Sequence, residues 1–231
     1  MPSAPVTSRA KLPNHMYSYC RVVGCPNPAR AGTDKGLDTR FCRKHADHYS
    51  RHGSPYKRSY TAKELAPHRK AVRAWLKQNA SDRWVQNAIQ RIRGLYDRSG
   101  PHVEAYRLAG MSPHERSRAA WARLRAAGVD PLKVLEAWLV VGRMITADPQ
   151  PVETDEFRRV QAAKIVHRLA SGSHKRWVRE VPRMVGVVNI PIKEVVELHK
   201  YPQSRGRVLR FIGADIEEAC GLAHKHYNRE G

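Results

Sequence analysis

Three of the four cysteines in this sequence lie within 23 residues, and a histidine follows the last of the three. The spacing is Cys20-x4-Cys25 and then, after 16 residues, Cys42-x2-His45. Thiolates and an imidazole at such spacings are the ligands of a tetrahedral zinc ion. Four protein ligands leave no position for water, so we predict one structural zinc ion per chain. His48 would lie about one helical turn beyond His45 and is an alternative fourth ligand.

Short local elements must position these ligands. Gly24 and Pro26 indicate a turn around the first pair, whereas the second pair is expected at the start of a helix. So short a segment buries too little apolar surface to fold alone, and a structural metal supplies the missing stability. The predicted organisation is a flexible arm (1–16), a zinc-binding module (17–58) and a helical domain (59–231).

The rest of the chain has the periodicity and capping signals of helices. Thr61-x-x-Glu64 and Ser112-x-x-Glu115 are capping boxes, and Asp130-Pro131 precedes the most apolar helix. Helices are predicted at 62–79, 82–98, 113–127, 131–146, 154–171 and 204–227. We expect a strand or a buried turn at 185–190, a short helix at 191–200, and the five tryptophans on helices at core positions. The predicted fold is mostly α: a small zinc-stapled N-terminal module followed by a multi-helix bundle.

The stretch 39–55 has a recognisable pattern. Its Cys-x2-His is followed by aromatic and basic residues and then by His52-Gly53-Ser54-Pro55. It resembles a short module of phage and bacterial mobile-element proteins, several of which are HNH-type endonucleases or DNA-binding factors. The resemblance covers residues 17–56. It implies zinc binding by Cys20, Cys25, Cys42 and His45, and it places Arg43, Lys44, Arg51 and His52 near nucleic acid.

An HNH-like nuclease is one alternative function. Such an enzyme needs an Asp-His or Glu-His pair on a strand, then an Asn, then a metal-binding His on a helix, so that water is activated beside a metal-bound phosphate. Asp47-His48 has the residue types of such a pair, but it lies on the predicted helix of His45, and no Asn-x-x-x-His follows it. The sequence also lacks a phosphate-binding Gly-rich loop and a His-Glu-x-x-His motif. The pattern favours a protein that is not an enzyme.

The charge predicts a polyanionic partner. The chain has 42 Lys and Arg against 21 Asp and Glu, a net charge of +21 and a pI near 10.4. Residues 51–125 contain 17 basic and 5 acidic residues, so more than half of the excess lies in a third of the chain. Nucleic acid is the commonest such partner. We expect duplex DNA, with Lys57 and Arg58 added to the cations that contact phosphates. RNA is the alternative nucleic acid, because charge alone does not distinguish the two.

The helix at 82–98 is predicted to be amphipathic. Its polar face contains Arg, Asn and Gln side chains, which make bidentate contacts with guanine and adenine edges. These residues are Arg83, Gln86, Asn87, Gln90, Arg91 and Arg98. The alternative is the solvated face of a bundle helix.

The sequence has no signal-peptide core and no run of 18 apolar residues, which predicts a cytoplasmic protein, nucleoid-associated in a bacterium, with no membrane partner. Together these features predict a zinc-containing DNA-binding accessory or regulatory protein of a phage or mobile element. A basic interaction protein, such as an inhibitor or a component of a larger assembly that binds an acidic protein surface, is the other alternative.

Overall fold

The computed structural model describes residues 19–29, 40–148, 155–185, 188–202 and 206–230. These residues form seven α-helices and one two-stranded sheet. The elements are α1 (Arg43–His52), α2 (Ala62–Gln78), α3 (Arg83–Arg98), α4 (Pro113–Ala126), α5 (Pro131–Ala147), α6 (Asp155–His167), β1 (Ser173–Val185), β2 (Val188–Lys200) and α7 (Arg207–Glu230). The mostly α fold is confirmed. The predicted arm at 1–16 lies outside the described residues.

The predicted capping boxes form. The Thr61 hydroxyl accepts the Glu64 backbone N–H at the start of α2, and the Glu64 carboxylate accepts the Thr61 N–H. Ser112 and Glu115 make the same reciprocal pair at the start of α4. Each pair satisfies two backbone donors that a helix cannot satisfy internally. The local sequence therefore determines where these two helices begin.

Helix α5 lies at the centre of the core. Leu135, Trp138 and Leu139 are fully buried, and the helix contacts α2, α3, α6 and α7. The last helix, α7, packs against α3, α4, α5 and α6 and buries Ile212, Ile216 and the thiol of Cys220. Helix α5 is apolar on nearly all sides, which is typical of a helix at the centre of a bundle.

The segment from 173 to 200 corrects the sequence-based expectation. It forms an antiparallel hairpin in which Ser173 pairs with Lys200 and Val185 with Val188. The short helix predicted at 191–200 is therefore wrong. The range 185–190, expected as a strand or a buried turn, contains the end of β1 at Val185 and the start of β2 at Val188. β-Branched residues are frequent along both strands and favour extended backbone.

The hairpin stands away from the bundle. Every described side chain of β1 from His174 to Met184 is exposed except that of Val181, which is half-buried. Trp177 lies on β1 and is 38% exposed, so the prediction that all five tryptophans lie on helices is wrong at this position. The base of the hairpin is attached to the bundle, because the Ser173 hydroxyl accepts the Ala105 backbone N–H at 2.7 Å.

The close packing of α5 against α7 gives a stability prediction. A Cβ at Gly142 would overlap the buried imidazole of His224, so we expect Gly142→Ala to lower the free energy of unfolding by about 1–3 kcal/mol. Gly221→Ala is the matched control, because nothing lies within 4 Å of a Cβ there and alanine favours the helix by roughly 1 kcal/mol. Urea denaturation of both variants checks this. Equal stability changes would contradict the packing.

His224 also predicts a pH dependence. Burial, and secondarily Arg158, lowers its pKa to about 4, whereas an unfolded histidine titrates near pH 6.5. The unfolded chain thus binds the proton first, and stability is lost as the pH falls from about 6.5 to 4. We expect His224→Gln to reduce this dependence by up to about 1 kcal/mol per pH unit, measured by denaturation at several pH values. An unchanged slope would mean that the imidazole is charged in the folded chain.

Candidate metal centre and basic surfaces

The four predicted metal ligands lie together. The Nδ1 atom of His45 is 3.2 Å from the Cys20 sulfur and 3.3 Å from the Cys42 sulfur, and the sulfurs of Cys25 and Cys42 are 4.0 Å apart. All four donor atoms lie within 4.8 Å of one another. The edges of a tetrahedral zinc site with these ligands are about 3.5 Å for nitrogen to sulfur and about 3.8 Å for sulfur to sulfur, given the usual bond lengths. The cluster therefore could bind a metal ion.

A tight turn holds the first two thiols. The Cys25 backbone N–H donates to the Val22 carbonyl at 3.0 Å, and Gly24 adopts the left-handed conformation that this turn requires, with φ at +76°. The Cys20 N–H donates to the Asn27 carbonyl, also at 3.0 Å, which closes the loop around both sulfurs. Backbone hydrogen bonds thus aim Cys20 and Cys25 at the same point.

The start of α1 supplies the other two ligands, as predicted. Cys42 is the N-cap residue and His45 lies in the first turn, so their side chains point towards the same end of the helix. His48 is directed elsewhere: its Nδ1–H donates to the Ser54 carbonyl at 2.8 Å, and its ring stacks on His52. The structure therefore brings His45, and not His48, to the cluster.

The protonation of the thiols depends on their surroundings. A hydrogen bond from the Asn27 backbone N–H lowers the pKa of Cys25, which favours the thiolate. Burial raises the pKa of Cys42. A cation at the cluster compensates for this burial, because metal ligation deprotonates a coordinating thiol. This donor set, three thiols and one imidazole, is one that zinc prefers.

The end of α1 attaches the cluster to the bundle. Gly53 terminates the helix with φ at +77°, and a Cβ there would lie 3.0 Å from the Glu156 carbonyl oxygen and from the Phe157 Cα of α6. Arg210 of α7 donates to the carbonyls of Tyr49 and Ser50 and also pairs with the Glu156 carboxylate. Carbonyls at a helix C-terminus favour such a cation. Two bundle helices thus hold α1, which carries Cys42 and His45 at its other end.

Both the side chain and the backbone carbonyl of His52 form hydrogen bonds within the protein. Its Nδ1 accepts the Ser59 backbone N–H at 3.0 Å, and its backbone carbonyl accepts the Gln161 amide at 2.7 Å. Burial, followed by the charge of Lys164, lowers the pKa of His52 to about 4, so the imidazole is neutral at pH 7. The resemblance placed His52 near nucleic acid, but the structure places it at the contact between α1 and α6.

The two basic residues after α1 differ in availability. Lys57 is 10% exposed and forms an ion pair with Asp148, which also accepts the Tyr60 hydroxyl at 2.9 Å. Arg58 is 63% exposed and pairs with Glu64 at 2.7 Å. Of these two predicted phosphate contacts, only Arg58 lies at the surface.

The basic residues of α1 itself are accessible. Arg43, Lys44 and Arg51 are all exposed, and none of them forms an ion pair within the described part of the chain. They lie on the helix that the metal cluster and Gly53 hold at its two ends. These three side chains form what we call the α1 basic surface.

The polar residues of α3 are also exposed, but they border α7. Asn87, Gln90, Arg91 and Arg98 line a groove of about 510 Å³ whose other side includes Asp215 and Glu218 of α7. Arg91 donates to the Glu218 carbonyl at 3.1 Å, and Gln86 donates to the Ala80 carbonyl at 2.5 Å. Arg83 stacks over Trp84. The predicted base-reading residues thus lie beside a neighbouring helix that contributes carboxylates.

A second cluster of metal-ligating side chains lies on the hairpin. It consists of His174, Glu197 and His199, whose donor atoms lie within 4.8 Å of one another. The interpretation of 191–200 as a helix hid this cluster. The alternation Glu197-x-His199 would have placed two of its members on one face of a strand.

No family model, no curated protein and no solved structure matches the chain. Among the described residues, none of the helices combines the length and hydropathy needed to cross a membrane.

The choice of imidazole ligand gives a direct prediction. We expect His45→Ala to lose most of its bound metal after dialysis against a weak chelator, because one of four ligands is removed. His48→Ala is the matched control from the same helix and should retain one ion per chain. Elemental analysis measures both. Metal loss in the His48 variant with retention in the His45 variant would contradict the assigned ligands.

Proposed function

We propose that this chain is a duplex-DNA-binding accessory or regulatory protein with a structural zinc ion at Cys20, Cys25, Cys42 and His45. The zinc orients α1 so that its basic surface meets phosphates. The proposal extends to a cytoplasmic location and to a role in a phage or mobile element, in line with the resemblance of residues 17–56.

The observation that carries the proposal is the internal use of acidic side chains in the most basic region. Of the five acidic residues within 51–125, Glu64 and Glu115 belong to capping boxes, Asp82 caps α3, Glu104 lies 3.8 Å from His102, and Asp97 is exposed. Three of these carboxylates thus stabilise helix termini, and Glu64 also pairs with the exposed Arg58. Because the region has 17 basic residues, several of its cations remain at the surface without an ion pair.

Several exposed cations of α2 and α3 have no ion-pair partner within the described residues. They are Lys63, Lys70, Lys77, Arg83 and Arg93. Unpaired surface cations repel one another and attract polyanions, and phosphate contacts of this kind supply most of the affinity for DNA without specifying sequence. The α1 basic surface adds three more positions on a rigidly held helix.

In this proposal, α3 recognises the base sequence of the DNA. Asn87 and Gln90 are exposed and have the amide side chains that pair with adenine edges. Asp215 and Glu218 across the groove repel phosphates, so a base edge fits this groove better than a backbone does. In this arrangement α1 positions the duplex and α3 contacts its bases.

A protein-binding role is the second candidate, and the hairpin favours it. Val178 and Val195 pair across the two strands and are 60% and 51% exposed. Apolar side chains exposed on a projecting ribbon favour protein contact. Salt would weaken such binding far less than it weakens DNA binding, because counterion release is absent.

A charge-matched pair of variants tests the DNA proposal. Arg43→Ala/Lys44→Ala/Arg51→Ala removes three charges from the α1 basic surface, and Lys175→Ala/Arg183→Ala/Lys193→Ala removes three from the hairpin. We expect the first variant to bind duplex DNA more weakly and to reduce the slope of log K against log [salt] by about 3, roughly one for each lost phosphate contact. The hairpin variant should retain the wild-type slope.

The measurement is a salt titration of binding to duplex DNA, single-stranded RNA and heparin. Equal slopes for the two variants on all three polyanions would show attraction by net charge alone and would overturn the proposal. A weaker response of the α1 variant on DNA only would support a dedicated surface.

A further inference from the structure

We propose a second metal site on the hairpin, formed by His174, Glu197 and His199 and suited to a divalent transition ion such as Zn²⁺. This site lies outside the Cys3His cluster and does not depend on the proposed DNA binding. It uses two imidazoles and one carboxylate, the ligand set of open zinc sites in which a fourth position is left for water.

The strand register brings the three side chains together. His174 is directly opposite His199 in the ladder, and opposite residues have Cβ atoms about 5 Å apart on the same face of a sheet. Glu197 precedes His199 by two residues and therefore lies on that face too. Backbone pairing alone thus positions three donors from two strands.

The donor atoms lie close to coordinating distances. The Glu197 Oε2 atom is 3.9 Å from His174 Nε2 and 3.7 Å from His199 Nε2. A tetrahedral ion with these ligands needs separations of about 3.3 Å, given zinc–nitrogen and zinc–oxygen bonds near 2.0 Å. Small side-chain rotations close this gap, because all three side chains are about half exposed or more and are free to move.

The two imidazole rings each have a donor atom near one point. They stack with centroids 4.0 Å apart and planes 8° from parallel, and the Nε2 atoms of both lie within 4 Å of the same carboxylate oxygen. An imidazole binds a metal ion through a lone pair in the plane of its ring, so one ring turns out of the stack to complete the site. The His199 side chain is 70% exposed and has the room to turn.

The second carboxylate oxygen has its own partner. Arg176 Nε lies 3.4 Å from Glu197 Oε1. Metal-ligating carboxylates are commonly oriented by a partner outside the metal's own ligands, and this ion pair holds Oε1 on the side of Arg176. Oε2 is left to face the two imidazoles.

The position of the site suggests its effect. His174 and His199 form the second residue pair from the base of the hairpin, where the Ser173–Lys200 pair meets the bundle. An ion here links the two strands at the point where the projecting hairpin begins. The hairpin gains few stabilising contacts from the bundle, so a cross-strand link would reduce fraying of both strands.

Metal stoichiometry tests the proposal. The full chain is first loaded with one equivalent of Zn²⁺ and then titrated with Zn²⁺ by calorimetry. We expect wild type to bind a second equivalent. His174→Ala and His199→Ala should lose it, and Glu197→Gln should bind it about tenfold more weakly or worse.

His102→Ala is the matched control. His102 is an exposed histidine with one carboxylate, that of Glu104, 3.8 Å away, so it has the same local chemistry without a second imidazole. This variant should bind the second equivalent as wild type does. A loss equal to that of the hairpin variants would overturn the site.

Amide hydrogen exchange supplies a readout independent of stoichiometry. The second equivalent should slow exchange in β1 and β2 of wild type and leave the Glu197→Gln hairpin unchanged. Absence of a second equivalent in wild type, or its persistence in the His174→Ala/His199→Ala double variant, would contradict the proposal.

Discussion

The convergence of Cys20, Cys25, Cys42 and His45 on one point is the constraint on which the N-terminal part of this protein depends. Among the described residues before Gly53, the only buried apolar side chains are those of Cys20 and Cys42, both members of the cluster. Apolar burial therefore contributes little to holding the loop against α1. A metal ion bound at the cluster would replace the missing core, because its binding free energy is available only when all four ligands are brought together.

This constraint extends from the loop to the bundle through a single helix. One end of α1 carries two metal ligands, and its other end meets α6 at Gly53 and α7 through Arg210. Because both ends are held, the cations between them keep a defined orientation. In α2, α3 and α4, acidic side chains cap the first turn of each helix, and many of the basic side chains remain at the surface. The helix caps thus help to determine where positive charge is exposed.

Local signals predicted much of this architecture. The cysteine spacing predicted the four residues that cluster, and the capping boxes at Thr61 and Ser112 marked helix starts because caps act within four residues. Contacts between distant residues could not be predicted in the same way. Lys57 was predicted as a phosphate contact and His52 as a neighbour of nucleic acid, but Asp148 and Lys164, about a hundred residues away along the chain, lie beside them. The hairpin was missed because Pro191 followed by Lys and Glu also fits the first turn of a helix, and only pairing with β1 selects the strand.

X-ray absorption at the zinc edge tests directly whether the Cys3His cluster binds zinc, with the Glu197→Gln variant used so that the hairpin donates no carboxylate. We expect one ion per chain with three sulfur neighbours at about 2.3 Å and one nitrogen at about 2.0 Å. A shell of only nitrogen and oxygen atoms, or a stoichiometric preparation with fewer than three sulfurs, would contradict it.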